Sequence, residues 1–243
     1  MSGTLRPWHT VTLTFTGPKT SESAEPNPFT DYRLEVTFTN GDALYVAPGF
    51  YAADANAAHT SAKAGDKWQV RFTPDRPGRW QYKASFRKGP DVAIADDPQA
   101  GESAGFFDGV TGHFDVGPPD KVAAGFRAKG HLRYVGRRHL HFALTNEPWI
   151  KGGADSPENF LAYADFDDTY RIGKLQPRKG ENFADGMHRY QPHVRDWRDG
   201  DPTWGADKSK GKGIIGALNY LASQRMNSVY FLTMNIAGDG KDV

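Results

Sequence analysis

The chain has no cysteine among its 243 residues. Disulfides, thiolate zinc sites and cysteine nucleophiles are excluded, and no redox compartment is indicated. It also lacks an excess of charge: the formal net charge is +1, so charge recommends neither nucleic acid nor an anionic membrane as partner. No apolar run approaches the roughly 20 residues of a membrane span. Met1-Ser-Gly-Thr-Leu-Arg-Pro-Trp8 has no apolar core of a secretory leader. The compartment stays open, and would be periplasmic or extracellular if a leader has been removed. Cofactor signals are missing as well. Lys208-Ser-Lys-Gly-Lys-Gly213 does not contain the phosphate-binding GxxxxGK[ST] pattern. Asp165-Phe-Asp-Asp168 and Asp199-Gly-Asp201 do not fit a calcium loop. His139 and His141 share a strand face, but no further metal ligands are suggested nearby. No metal and no cofactor is expected.

What is present is aromatic. Six Trp, ten Tyr and fifteen Phe suit β-rich cores and also the flat faces on which sugar rings stack. Most must serve packing. Val11, Leu13 and Phe15 alternate with threonines, and Tyr32, Leu34, Val36 and Phe38 alternate with polar residues. Asn40-Gly41 then gives a strong hairpin signal. Trp68, Val70 and Phe72 alternate next, followed after the turn Thr73–Gly78 by Trp80, Tyr82, Ala84 and Phe86. A last strand runs through Phe114 and Val116. Six or seven short strands of period two predict an immunoglobulin-like β-sandwich over residues 1–118, with Trp68 and Trp80 as its core pins. Ala52–Ala64 and Asp91–Gly105 read as its loops.

Gly117-Pro-Pro-Asp120 marks a boundary, because two prolines end a strand and stiffen a linker. Residues 119–243 read as an α/β segment. Leu132, Tyr134, Leu140 and Phe142 outline a hairpin, and Trp149–Gly153 is a short strand candidate. A long polar excursion follows. Gly213–Arg225 is the best helix, with Ile214, Leu218, Leu221, Ala222 and Met226 on one face at helical spacing. Ser228-Val-Tyr-Phe-Leu-Thr-Met234 is an unalternating apolar run, the pattern of a strand buried on both faces of a parallel sheet. The order strand, excursion, helix, strand is a βαβ unit with an expected right-handed crossover.

Function should then sit at the C-terminal ends of the two parallel strands. Asp155, Glu158 and Asn159 follow the first, and Asn235 follows the second. Glycoside hydrolysis needs two carboxylates about 5–10 Å apart flanking the scissile bond. Two acids three residues apart project from the same side of one turn, so Asp155 and Glu158 are badly spaced for that role. Helix initiation accounts for them better: Ser156 as N-cap, Pro157 at N1, Glu158 where the helix dipole favours an acid. Asn159 offers a donor and an acceptor to hydroxyls. Asn235 reads equally as a rim contact and as a turn residue before Gly238. Trp197 and Trp204 flank Arg198–Thr203; they suit either sugar stacking or a loop folded on its own apolar core, with the second preferred.

Several blocks carry a resemblance. Trp8–Phe15 with Gly17-Pro18, Glu25–Phe29 with Asp31–Arg33, Val46–Asp54, Lys151–Phe166 and Gly211–Asp239 resemble bacterial candidate glycoside hydrolases that place an immunoglobulin-like domain of unknown function ahead of a (β/α)8 barrel. The resemblance implies the N-terminal part of a carbohydrate-active enzyme: the sandwich plus the first βαβ unit of a TIM-type barrel. It implies a retaining-type site whose acid/base glutamate follows the fourth strand and whose nucleophile follows a later one. Neither strand is in the sequence, so no catalytic residue carries over. Asp155, Glu158, Asn159 and Asn235 remain as substrate contacts, with a polysaccharide or oligosaccharide as the partner of the full-length enzyme. The chain is expected to be inactive alone, and residues after about Thr145 to be the less stable part. The alternative is a non-catalytic carbohydrate-binding or structural β-sandwich module.

Overall fold

A computed structural model describes residues 1–122, 125–154, 160–167 and 187–231. By compactness they fall into two units: Met1–Ala57 with Ala62–Trp149, and Ala58–Ser61 with Ile150–Val243.

The first unit is an antiparallel β-sandwich. Its strands are β1 (Ser2–Gly3), β2 (Val11–Ser21), β3 (Tyr32–Asn40), β4 (Ala43–Tyr51), β5 (Ala64–Phe72), β6 (Gly78–Lys88), β7 (Glu102–Ser103) and β8 (Thr111–Val116). A short helix, α1 (Ala57–Thr60), lies between β4 and β5. Hydrogen-bonded neighbours run β1-β2-β5-β4-β3-β6-β7, with β8 also on β6. The alternation seen in the sequence selects the inner face. Leu34, Val36 and Phe38 of β3, Trp68, Val70 and Phe72 of β5, and Trp80, Ala84 and Phe86 of β6 are all buried in one core. Phe38 stacks on Phe72 at 4.1 Å, although β3 and β5 are not paired. The sheet is therefore folded over on itself, and its two halves meet through side chains. Trp68 and Trp80 are 1% and 0% exposed. Rings of this kind bury roughly 150–250 Å² each. At about 25 cal/mol per Å² that is about 4–6 kcal/mol of transfer free energy apiece, an upper bound.

Strand β4 has no signature in the sequence. Its inward positions, Ala43, Ala47 and Tyr51, are separated by exposed apolar Leu44, Val46 and Phe50, so the sequence shows no apolar–polar alternation, and Pro48-Gly49 interrupts it. Those two residues are where it changes partner. Up to Pro48 it pairs with β3, and from Gly49 onward with β5. A side chain at Gly49 would collide with Leu34 Cγ and with the carbonyl of Gln69. The hairpin that starts β4 has Gly41-Asp42 as its two central residues, since Asn40 pairs with Ala43. Gly41 sits at φ 60°, the left-handed position of such turns.

A three-stranded antiparallel sheet closes this unit: β9 (Leu132–Arg133), β10 (Leu140–Phe142) and β11 (Pro148–Trp149), with β10 in the middle. The expected strand Trp149–Gly153 is thus divided. Trp149 pairs antiparallel with Leu140, while the residues of β12 (Gly153–Ala154) pair parallel with β13 (Ser228–Val229).

In the second unit α2 (Lys212–Ser223) lies between β12 and β13 in sequence, as the helical spacing predicts. Its packed face differs from the expected one. Gly213, Ile214, Gly216 and Ala217 are buried, whereas Leu218 and Met226 are 38% and 37% exposed. The reason is backbone proximity. A Cβ on Gly213 would strike the carbonyl of Arg189, and one on Gly216 the carbonyl of His193. Small residues let the 3-10 turn Gln191–Asp196 lie directly on the helix, and hydrophobic spacing gives them no weight. The run from Ser228 is likewise less covered than its composition suggests. Ser228 and Val229 are half-buried, and Tyr230 and Phe231 are 43% and 37% exposed. No helix among the described residues is long and apolar enough to cross a membrane.

Candidate functional site

The parallel pair β12–β13 is pinned by Asn227. Its Oδ1 accepts from Gly152 N at 2.9 Å, and its Nδ2 donates to Ile150 O at 2.9 Å. Its own N–H donates to Gly152 O at 2.7 Å. One side chain thus fixes the register of both strands at the turn after α2. Asp155, Glu158 and Asn159 directly follow β12 in sequence, and Asn235 follows the run that begins with β13. All four lie outside the described residues.

The described residues that follow in the chain include an aromatic cluster organised around Asp165. Phe160, Tyr163 and Ile214 form a small buried core, with Phe166, Tyr190 and Trp204 packed against it. Asp165 Oδ2 accepts from the Tyr163 hydroxyl at 2.6 Å and from Gly211 N at 3.0 Å. Its main-chain carbonyl accepts from Trp204 Nε1 at 3.0 Å. Burial, then the bond to Asp165, pushes the Tyr163 phenol up to about 12. Burial also raises Tyr190, whose hydroxyl donates to Phe160 O at 3.0 Å. Both phenols stay protonated at neutral pH and act as fixed donors.

The nearby aspartates are similarly engaged. Lys210 Nζ lies 2.8 Å from Asp167 Oδ1, a pair that raises the lysine. Asp201 accepts from Asn219 Nδ2 at 2.7 Å and from Arg198 N at 2.9 Å, and those bonds hold it below the usual carboxylate range. The segment Ala58–Ser61 joins this unit through Gly205, whose N–H donates to Ala58 O at 3.1 Å. Asp165, Asp167, Asp201 and Asp207 thus all receive structural hydrogen bonds within the described part of the region.

Trp204 belongs to the same network. It stacks on Phe166 at 5.3 Å, and its N–H is occupied, so it is a core residue of the loop and not a free sugar platform. Trp197 carries the Lys212 ammonium 4.5 Å over its ring. His139 is exposed, while His141 is 8% exposed with Nδ1 2.8 Å from Asn146 O. The histidines therefore do not share a solvent face. No group of three or more metal-ligating side chains is gathered among the described residues. Sequence reasoning missed Asp165 and Asn227. Asp165 stands out in the sequence only within a run that fails as a calcium loop, and an asparagine at a helix–strand turn carries no special pattern.

An antiparallel sandwich followed by a small parallel strand–helix–strand unit is the class that the fold defines. Residues 4–87 match a family described as a domain of unknown function (DUF5060). No curated protein matches the chain. A solved structure of a candidate glycoside hydrolase from Bacteroides vulgatus is similar at 22% identity with a TM-score of 0.42. The similarity covers 64% of this chain and 23% of that one, so this chain spans about a quarter of that protein's length.

Proposed function

We propose that this chain is the non-catalytic N-terminal portion of a carbohydrate-active glycoside hydrolase. In this reading residues 1–118 are an immunoglobulin-like sandwich, and 119–243 carry a hairpin and the opening βαβ unit of a barrel. The observation that carries it is the parallel pairing of β12 with β13 across α2. Parallel strands joined through a helix belong to α/β sheets, which bind ligands beyond the C-terminal ends of their strands. Asp155, Glu158, Asn159 and Asn235 follow those ends, and they serve as contacts to a polysaccharide or oligosaccharide. Exposed Leu218, Met226, Tyr230 and Phe231 fit a unit whose apolar side is meant for further elements of such a sheet.

Asp155 and Glu158 are assigned no catalytic role, because their spacing suits helix initiation and not the flanking of a glycosidic bond. The test is reducing-end release by the purified chain from soluble xyloglucan, galactomannan, arabinoxylan and mixed-linkage β-glucan. Release should stay at the blank, and release above it would overturn the non-catalytic assignment. Saturation-transfer NMR with oligosaccharides cut from the same polymers tests the rim. The transfer signal should weaken in Asn159→Ala/Asn235→Ala, and a signal unchanged by that pair removes the rim from the reading.

A further inference from the structure

The change of partner in β4 opens the sandwich. Pairing between β3 and β4 runs from Asn40–Ala43 to Glu35–Pro48 and then stops. Tyr32–Leu34 keep a strand neighbour on the β6 side only. Gly49–Tyr51 keep one on the β5 side only. Between these two diverging edges lies a cavity of about 190 Å³, walled by Phe29, Tyr32, Arg33, Glu35, Phe50 and Tyr51 and backed by Trp68.

Its rim is unusual for a sandwich surface. Phe29 is 53% exposed and Phe50 39% exposed. Neither is loosely held. Phe29 sits in a tight loop in which Asn27 N donates to Asp31 Oδ2 at 2.8 Å, Phe29 N to Asn27 Oδ1 at 2.8 Å, and Asp31 N to Asn27 O at 2.8 Å. Asp91 N ties the same carboxylate to a second loop at 3.1 Å. The Arg71 guanidinium lies 5.2 Å over one face of Phe50. Rigid, exposed rings lose little freedom when they bind, and such rings belong to recognition surfaces.

The polar groups in the wall are complementary in kind. Both Arg33 Nη atoms donate to main-chain carbonyls, those of Ala95, Asp97 and Pro98, at 2.8–3.1 Å. Its Nε–H is buried with no partner. The Glu35 carboxylate has no hydrogen bond or ion pair among the described residues. The cleft thus offers one free carboxylate acceptor beside aromatic faces. The charge of Arg33 is already directed at carbonyls, so nothing selects an anion.

We propose that this cleft is a carbohydrate subsite that takes a single neutral pyranose ring. A pyranose presents C–H faces to aromatic rings and hydroxyls that both donate and accept. The volume agrees: it lies below the roughly 300 Å³ at which sites for drug-sized ligands begin, which leaves room for one ring. An extended peptide fits less well, because each free strand edge is three residues long against the five or six of an ordinary strand. The choice of sugar rests on the carbohydrate-active reading above; the cleft itself does not.

The test uses the full chain, the same oligosaccharides and the same saturation-transfer measurement. In the Asn159→Ala/Asn235→Ala background, which removes the rim's share, Phe29→Ala/Phe50→Ala should weaken the remaining ring-proton signal by about tenfold, roughly the worth of one aromatic stacking interaction. Glu35→Gln should weaken it less, and both variants should still unfold in one cooperative transition above the temperature of the binding measurement. An equal signal in that background with and without the phenylalanine pair overturns the cleft. A signal abolished only by Asn159→Ala/Asn235→Ala also overturns it while leaving the proposed function standing. Absence of signal from all four oligosaccharides overturns it as well. Binding of an unrelated extended peptide, abolished by Phe50→Ala, would assign the cleft to strand addition instead. Reducing-end release reports on the enzymatic reading independently of all of these.

Discussion

The two units bury aromatic rings by different means. In the sandwich, rings meet rings: Trp68 lies 4.8 Å from Phe86, Phe72 lies 4.9 Å from Trp80, and the walls are aliphatic. In the second unit the rings gather around one residue, Asp165, whose carboxylate accepts from the Tyr163 hydroxyl and whose main-chain carbonyl accepts from Trp204 Nε1. The first arrangement needs only an apolar residue at every second position, and many residues share the work. The second depends on a few directed bonds and on close backbone approach between α2 and the 3-10 turn before it. A cooperative apolar core tolerates exchange of one ring for another, whereas a polar hub has no substitute for its central group.

The comparison can be broken first at the sandwich. Trp80→Ala removes a fully buried ring that also donates to Arg76 O at 3.1 Å. The expected loss is about 3–5 kcal/mol of unfolding free energy in urea. A loss below about 1 kcal/mol would mean that the ring is not the pin described above. Gly216→Ala comes next, and its sign is informative. In a solvent-exposed helix the change stabilises by about 1 kcal/mol. Here the new methyl meets the carbonyl of His193, so destabilisation of about 1–3 kcal/mol is expected. Hydrogen exchange should show it as faster exchange in Lys212–Ser223 with the strands of the sandwich unchanged.

The smallest effect concerns pH. Burial alone would raise Asp108, but hydrogen bonds from Phe86 N at 2.7 Å and from Ser103 Oγ outweigh it and hold the carboxyl below its usual range. A carboxylate depressed in the folded state adds stability that is present above its unfolded pKa of about 3.9 and lost as pH falls through the folded value. The melting temperature of the sandwich should therefore drop on acidification below about pH 4. Asp108→Asn should lower stability at pH 7 and flatten that acid limb. An unchanged acid limb in the variant would show that Asp108 does not contribute to it.

The legibility of the two units follows the same division. Alternation locates β2, β3, β5, β6 and β8 and names Trp68 and Trp80, because each strand has one wet and one dry face and the sequence records which is which. It cannot locate β4, whose partner changes at Pro48-Gly49 and whose exposed Leu44, Tyr45 and Val46 break the pattern. Helical spacing locates α2 and its buried Ile214, but it also points to Leu218 and Met226, which are exposed, and overlooks Gly213, Gly216 and Ala217. Spacing scores side-chain hydrophobicity, and the packing at Gly213 and Gly216 is made by the absence of side chains. The Asp165 hub is invisible for a related reason. Two of its partners, Trp204 and Gly211, lie 39 and 46 residues further along the chain, and only folding brings them within 3.0 Å of it.

The sequence by itself determined the sandwich, the helix position and the absence of thiol chemistry, because local periodicity and composition decide these. Tertiary structure alone decided where the sandwich splits, which face of α2 is buried, and which polar groups are left for a ligand. These depend on how strands part and how backbones approach, and such distances are set between segments far apart in the chain.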